Sequence, residues 1–545
     1  MKLGTVVKLM LGSLVLLLMV GFAFYSYYMI SVVSNKKDFN FFSLVPSSAV
    51  AVVEVDNVNQ MINELGELDS SKENNYLYFS KLFTFLKNNF YNIESRVSNG
   101  SSSQLNSMLI SFHAPGTTND QIFYFKLGAH DHNLIKSFFD KNIPASYAKK
   151  ILKYKGEKID VYALSNGEFL ACYQTPNFVV LSFQARLIEE VIDVCHSPNE
   201  ALLYNAPFKK IYDSRKSTAT AKIYAHMQSV DLGDSIHSNI KLSSWGKFEL
   251  RLNGRFIYLN GTSCSDCSET DTDQSFANFL LKEQSLKVFP GLLLPDSTYS
   301  FTQFSVNNVA SLLQLMTGKL YGDEYHDKES DAKNSDLSVF LKDNGVGVMT
   351  TCFFHRMDTI MYKGPCSLMS FSFRYSSDAE NKFANIVLNE KLSEGDSPIS
   401  CVTQFSIEDV SYPLFVLHGS TLYTDFTGVI LPEKNLYATF YMNRLLLAPD
   451  IGCLNEYISH LNSGTVLKGT PDFELCTGKL ADSYNFLLMY NFSDVFAQPQ
   501  NYNCLVPSFF FKYAYFFKAF LLSVQNTRVG DSMNFNLVLT YKTKK

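Results

Sequence analysis

The chain has 545 residues, more than one hydrophobic core accommodates, and its length suggests about three or four domains. Hydrophobic residues make up 46%, charged residues 18% and aromatics 14%, with 46 Phe and 31 Tyr against a single Trp, Trp245. The aromatic content suits pleated, half-buried surfaces, and a net charge of -5 argues against a nucleic-acid-binding face.

From Leu9 to Ser34 no residue is charged. A run of about 25 apolar residues at 1.5 Å each crosses roughly 30 Å of hydrocarbon, so residues 9–33 read as a transmembrane helix. The run continues through FAFYSYYMI without a small-x-small cleavage site, which favours an uncleaved signal anchor over a removed signal peptide. The first cysteine is Cys172, which speaks against a lipid-modified N-terminus. Lys2 and Lys8 precede the helix and Lys36 and Lys37 follow it, so flanking charge nearly ties. A large body behind an N-terminal anchor points to export. The expected location is therefore the cell membrane, single-pass, with the body outside the cytoplasm, on the periplasmic side if bacterial.

Residues 1–8 then form a short cytoplasmic tail and 34–42 a juncture. In LVPSSAVAVVEVDN, alternating valines predict a strand, and Asp56 or Asn57 can cap a following helix. YLYFSKLFTFLKNNF shows helical spacing, SMLISFHA and QIFYFKL read as strands, and HNLIKSFFDK as a helix. KIDVYAL, EFLACYQ and NFVVLSF read as strands, and ARLIEEVIDV as a helix. TATAKIYAHMQSV and KFELRLNGRFIYLNGTS read as strands, the latter turning at Asn253-Gly254. Residues 271–285 are a linker, and 322–336 a solvated acidic loop.

The second half opens with LLLPDSTYSFTQFSVNNVASLLQL. Pro295 matches Pro46, and Asn308-Val309 matches Asn57-Val58. DFELCTGKLADSYNFLLMYNFS echoes KFELRLNGRFIYLNGTS, with Phe473 and Leu488 in the places of Phe248 and Ile257. The same order at a similar offset predicts an internal duplication, 43–270 and 286–545, with 505–545 as a C-terminal strand extension. The expected fold is α+β: one transmembrane helix, then two related, mainly antiparallel sheet-plus-helix halves.

The anchor, the LVPSSAVAVVEVDN opening and the late LNGTS strand resemble a bacterial membrane-anchored exported family of unknown function. That resemblance implies location and architecture, and supplies no catalytic residue.

Signatures of common catalytic sites are missing: no HExxH, GxSxG, P-loop or GxGxxG occurs. His130-Asp131-His132 stands before a helical pattern, so Asp131 reads as an N-cap rather than the trio as metal ligands. Cys264 and Cys267 form a CxxC that ends a strand, which favours a local disulfide or two unpaired thiols over redox catalysis. Cys352 and Cys366 flank an expected strand pair and could face each other as a second disulfide. The Asn99, Asn260 and Asn491 sequons are at chance level for this length. FFFKYAYFFKAF (509–520) alternates like a core strand. No catalytic residue, metal site or cofactor is expected. The expected function is binding or scaffolding in the cell envelope, through a protein partner or an apolar ligand, without nucleic acid. A hydrolase-like site between the halves and a lipid-binding role are the alternatives.

Overall fold

The structure, a computed structural model, describes residues 40–542 except 87–103, 143–148, 230–243, 264–275, 316–336, 357–365, 393–401, 498–506 and breaks of one to three residues. Among the described residues the fold is predominantly β, with twenty strands whose pairings are antiparallel. This corrects the α+β expectation. The helices are mostly short and lie on sheet faces rather than forming a layer of comparable weight. The expected membrane span finds no support either: no described helix is long and apolar enough to cross a membrane, and residues 9–33 lie outside the described residues. The membrane, transmembrane and signal-anchor assignments are withdrawn accordingly.

The chain divides into two compact units, one comprising Met1–Ala49 and Ser80–Asn205, the other Val50–Phe79 and Ala206–Lys545. In chain order the strands begin with β1 (Ala49–Val55), followed by helix α1 (Val58–Glu67). The Asn57 side chain accepts from the Gln60 N–H at 2.9 Å, so Asn57, rather than Asp56, is the cap.

The first unit holds β2 (Met108–His113), β3 (Gln121–Lys126), α2 (Asp131–Asn142), β4 (Lys150–Tyr154), β5 (Glu157–Ala163), β6 (Phe169–Gln174), β7 (Phe178–Ser182) and α3 (Ala185–His196). Its ladder runs β2-β3-β7-β6-β5-β4. α3 buries Leu187, Ile188, Val191, Ile192 and Val194, the i, i+1, i+4 stripe of an amphipathic helix seated on a sheet.

The second unit contains β1, α4 (Ala206–Ile211), β8 (Ala221–His226), β9 (Trp245–Asn253) and β10 (Phe256–Ser263). It continues with β11 (Thr298–Val306), β12 (Gly345–Phe354), β13 (Cys366–Phe373), α5 (Ser376–Leu392), β14 (Val402–Ile407), β15 (Val410–His418), β16 (Asn435–Tyr441) and β17 (Arg444–Ala448). α6 (Ile451–Asn462), α7 (Pro471–Thr477), β18 (Phe486–Asn491), β19 (Phe520–Val529) and β20 (Ser532–Tyr541) complete it. One continuous ladder runs β1-β8-β9-β10-β20-β19-β18-β11-β12-β13-β17-β16-β15-β14.

Part of this ladder is buried on both faces. Leu445 and Leu447 of β17 join one apolar cluster, whereas Leu446 and Ala448 join another. Alternation puts successive side chains on opposite faces, so the near-continuous apolar run RLLLA is what two-sided burial requires. α5 brings Phe383 and Val387 to the first cluster, and α6 brings Cys453, Leu454, Tyr457 and Ile458 to the second.

The strand order recurs. β2-β3-β7-β6-β5-β4 is matched by β12-β13-β17-β16-β15-β14, and β1-β8-β9-β10 by β11-β18-β19-β20. Pro46 bridges Ala201 just after α3, and Pro295 bridges Val466 just after α6. The Leu202 N–H donates to the Val45 carbonyl at 2.7 Å, and the Leu467 N–H to the Leu294 carbonyl at 2.8 Å. The strands after Pro46 and Pro295 thus hold the same place in the order.

Two sequence expectations shift. Phe473 lies on α7 and Leu488 on β18, so the counterpart of the β9–β10 hairpin is β19–β20, the segment expected to be an unmatched extension. The aromatic run is helical over Ser508–Lys512 and Ala514–Phe517, and only Phe520 enters β19. Within the helices Phe510, Phe516 and Phe517 are buried while Phe509 and Tyr515 are exposed, which is one-face helical spacing rather than strand alternation.

Candidate functional site

Each unit holds a polar cluster close to the end of its first hairpin ladder, and several positions around the two correspond. Phe112 pairs with Gln121 at the end of the β2–β3 ladder, and Phe354 pairs with Cys366 at the end of β12–β13. The next residues are His113 and His355. Ser48 and Ser297 each stand two residues after their bridging prolines. Glu190 and Glu456 are each the sixth residue of their helix, α3 and α6.

In the first unit this place holds a hydrogen-bonded chain. The Ser48 hydroxyl donates to Glu190 Oε2 at 2.8 Å and lies 3.1 Å from His113 Nδ1. His113 Nε2 is 2.8 Å from the Ser111 hydroxyl, which is 3.1 Å from the Tyr124 hydroxyl. Arg186, one turn before Glu190 on α3, pairs with its other oxygen. Ser48 is exposed, whereas His113 is buried. Burial, helped by the Arg186 charge, lowers the His113 pKa to about 4, so the ring is neutral near pH 7.

No catalytic centre is expected from the sequence, and this convergence of Ser, His and Glu counts against that expectation. The direction of its hydrogen bonds limits the chemistry. With the Ser48 proton given to Glu190, His113 Nδ1 donates to Ser48 and Nε2 accepts from Ser111. An imidazole titrating near 4 is a weak base for a hydroxyl at neutral pH. The chain orients Ser48 more effectively than it deprotonates it.

In the second unit a sulfur-containing cluster gathers around Arg356, the residue after His355. Arg356 Nη2 donates to both oxygens of Asp450 at 2.9 Å and to Cys453 Sγ at 3.0 Å, and its Nε donates to Cys366 Sγ at 3.2 Å. Asp450 caps α6, accepting from the Cys453 N–H at 2.9 Å, so Cys453 sits in the positive first turn. The Cys453 thiol lies 3.4 Å from Asp450 Oδ2 and is hydrogen-bonded to Cys366. That hydrogen bond lowers the Cys366 pKa, with the Arg356 guanidinium adding to it against the opposing effect of burial. The same contact, with burial, pushes Cys453 far up, so Cys366 is the more acidic of the two. Near this cluster, His460 lies 3.2 Å from Asp296 and 3.4 Å from Glu456.

The structure places the sequence candidates differently from expectation. Cys352 pairs with Leu368 and Cys366 with Phe354, so the two cysteines share a face but sit one step apart, and both are free thiols. The partner of Cys366 is Cys453. Cys264 and Cys267 lie outside the described residues, as does His130. Asp131 begins α2, and its carboxylate reaches back to the Gly128 N–H at 2.7 Å, while His132 contacts Gln174 and the Pro176 carbonyl. No group of three His, Cys, Asp or Glu suited to a metal occurs among the described residues. Arg356, Asp450 and Cys453 escaped notice because Arg356 and Asp450 are 94 residues apart. The local signal was Asp450 three residues ahead of Cys453, an N-cap spacing.

A cleft of about 220 Å³ opens in the second unit, lined by Pro290, Gly291, Lys468, Phe473, Glu474 and Asp482 among others. Gly291 is required there, because a Cβ would come within 2.7 Å of the Phe473 ring. No family model, curated protein or solved structure matches this chain.

Proposed function

We propose that this protein acts by recognition rather than by chemistry, binding or scaffolding a partner through the cleft beside α7. The supporting observation is the lining of that cleft: Lys468, Glu474 and Asp482 offer charges of both signs, Thr477, Tyr484 and Gln525 offer neutral hydrogen-bonding groups, and Phe473 an aromatic edge. Such a set, with charges of both signs around an aromatic edge, can orient a bound polar group. Its volume is below the roughly 300–1,000 Å³ of small-molecule pockets, so it fits a side chain or short polar segment of a partner. A role in carrying apolar ligands is less well supported, because the aromatic core packs on itself: the Phe383 ring lies 5.2 Å from Phe415, 5.3 Å from Phe340 and 5.8 Å from Phe440.

Ala481 is an exposed residue on the cleft wall, so A481W fills the cleft without entering the core. Immobilised full-length protein and A481W are compared in capture from extracts of the source cells. A species retained by the wild type and reduced at least tenfold by A481W is expected. Equal capture by both would overturn the assignment of the cleft.

A further inference from the structure

Cys366 opens β13 and Cys453 lies in the first turn of α6, yet one buried guanidinium contacts both sulfurs. Arg356 retains 8% side-chain exposure, and its charge is answered by Asp450, the member of the cluster open to solvent at 28%. The Arg356 Nε–H donor 3.2 Å from Cys366 Sγ favours negative charge on that sulfur, while the Cys453 thiol donates to Asp450 Oδ2 at 3.4 Å. Cys352, Cys172 and Cys476 are also buried free thiols, but burial raises each of them, Cys476 to about 12. The chain therefore holds a sulfur pair set up for reaction beside inert sulfurs of similar burial.

We propose that Cys366 and Cys453 are a peroxide-sensitive dithiol, in which Cys366 is oxidised first and Cys453 closes the disulfide. The co-reactant is hydrogen peroxide, close to water in size, and Asp450, 28% exposed, is the side of the cluster that opens to solvent. The Cys366 thiolate attacks one peroxide oxygen. An S–O bond forms, the O–O bond breaks, and hydroxide leaves and is protonated to water. Cys366 sulfur loses two electrons to the peroxide and becomes a sulfenic acid. The Cys453 sulfur, its proton passing towards Asp450 Oδ2 at 3.4 Å, attacks the sulfenic sulfur. The S–S bond forms, the S–O bond breaks, and the hydroxyl departs as a second water. Two thiols and one peroxide thus give one disulfide and two waters. Arg356 acts as a positioning residue that holds Cys366 as thiolate and orients both sulfurs.

The test exposes the reduced full-length chain to hydrogen peroxide with dimedone present or absent, alkylates at timed intervals and maps the products by mass spectrometry. Cys366 is expected to oxidise at least tenfold faster than Cys352 in the same molecule, and a Cys366–Cys453 cross-linked peptide should accumulate. In C453S the dimedone adduct should appear on Cys366, and in C366S Cys453 should stay reduced. R356Q should slow Cys366 oxidation at least tenfold. Equal rates at Cys366 and Cys352, a cross-link to any other cysteine, or no adduct in C453S would overturn the proposal. Should R356Q fail to fold, the pH profile of the wild type decides. Half-maximal Cys366 reactivity below about 8.5, the ordinary thiol value, supports the proposal, and a midpoint at or above it does not.

Discussion

His113 and Cys366 show how burial acts on single residues. At His113 the loss of water, helped by the Arg186 charge, outweighs the opposing Asp120 charge, so the neutral ring is held and its pKa falls to about 4. At Cys366 a thiol donor and a guanidinium outweigh the same burial, and the charged form is favoured. The His113 case makes a prediction about stability. Its folded pKa lies below the ordinary 6.5, so the unfolded chain binds the proton first as pH falls. The stabilisation is complete above about 6.5, declines between 6.5 and 4, and levels off below 4. The full gap is worth about 3 kcal/mol. In H113Q this pH-dependent part is absent although hydrogen bonds are also lost. Urea denaturation should therefore show the difference between wild type and H113Q shrinking by about 2 kcal/mol from pH 7 to pH 4.5. A difference that does not change with pH would exclude the linkage.

At the scale of elements, turns and glycines set the register. The β9–β10 turn lies at Gly254-Arg255, one residue beyond the expected Asn253-Gly254, since Asn253 still pairs with Phe256 and it is Gly254 that takes a φ of +56°. Three other hairpins use turns that resist recognition: Lys155-Gly156, Glu408-Asp409 and Met442-Asn443, all with positive φ at both residues. Hairpin twist favours that geometry even where the side chains pay about 1 kcal/mol each for it. Pro413 stands within β15, where it pairs with Gln404 of β14 before pairing with β16 begins at Phe415. A proline is tolerated there because its missing N–H faces the unpaired side. Gly261 of β10 is opposite Phe248 of β9, and a Cβ on it would run into the Lys247 carbonyl oxygen and lie 2.5 Å from the Phe248 ring and 2.8 Å from its Cα. The ring covers the glycine, so the site has no room for a methyl group. G261A should lower stability by about 1–3 kcal/mol, read as a fall in the urea midpoint. G530A is the control, since its Cβ would meet nothing within 4 Å and only the φ of +62° opposes it. Equal losses in the two variants would show that crowding at Gly261 is not the cause.

For the molecule as a whole, the second unit is a single ladder because β10 pairs with β20 over Phe256–Ser263. This joins the β1-β8-β9-β10 set to its counterpart β11-β18-β19-β20 edge to edge and leaves neither of those edges open. Leu537 sits mid-strand in β20, opposite Leu259 on one side and Val524 on the other. Unlike Pro413, it has a partner strand on both sides. L537P should cost about 3 kcal/mol or more, through a lost N–H and a ring clash. Hydrogen exchange should then rise in β9 and β10 and in β19, while β14–β15 stays protected. Unchanged exchange in β10 would mean that the β10–β20 pairing does not hold the ladder together.

The sequence by itself determined the local order of this protein. Alternating valines after Pro46 gave β1, Gly254 the β9–β10 hairpin to within one residue, and the amphipathic run ARLIEEVIDV the helix α3. These features depend on neighbours a few residues away, where periodicity and turn chemistry act. The tertiary structure alone decided the class, the pairing and the sites. Aromatic runs are ambiguous in one dimension, and FFFKYAYFFKAF became two short helices because its buried face, seen only once packed, follows helical spacing. The expected Cys352–Cys366 pair gave way to Cys366–Cys453 because ladder register placed the first two a step apart and the α6 N-terminus brought the third to meet Arg356. Ser48 met His113 and Glu190 across separations of 65 and 142 residues. Contacts of that range are set by how strands stack and helices dock, a balance of burial over the whole core that no local pattern encodes.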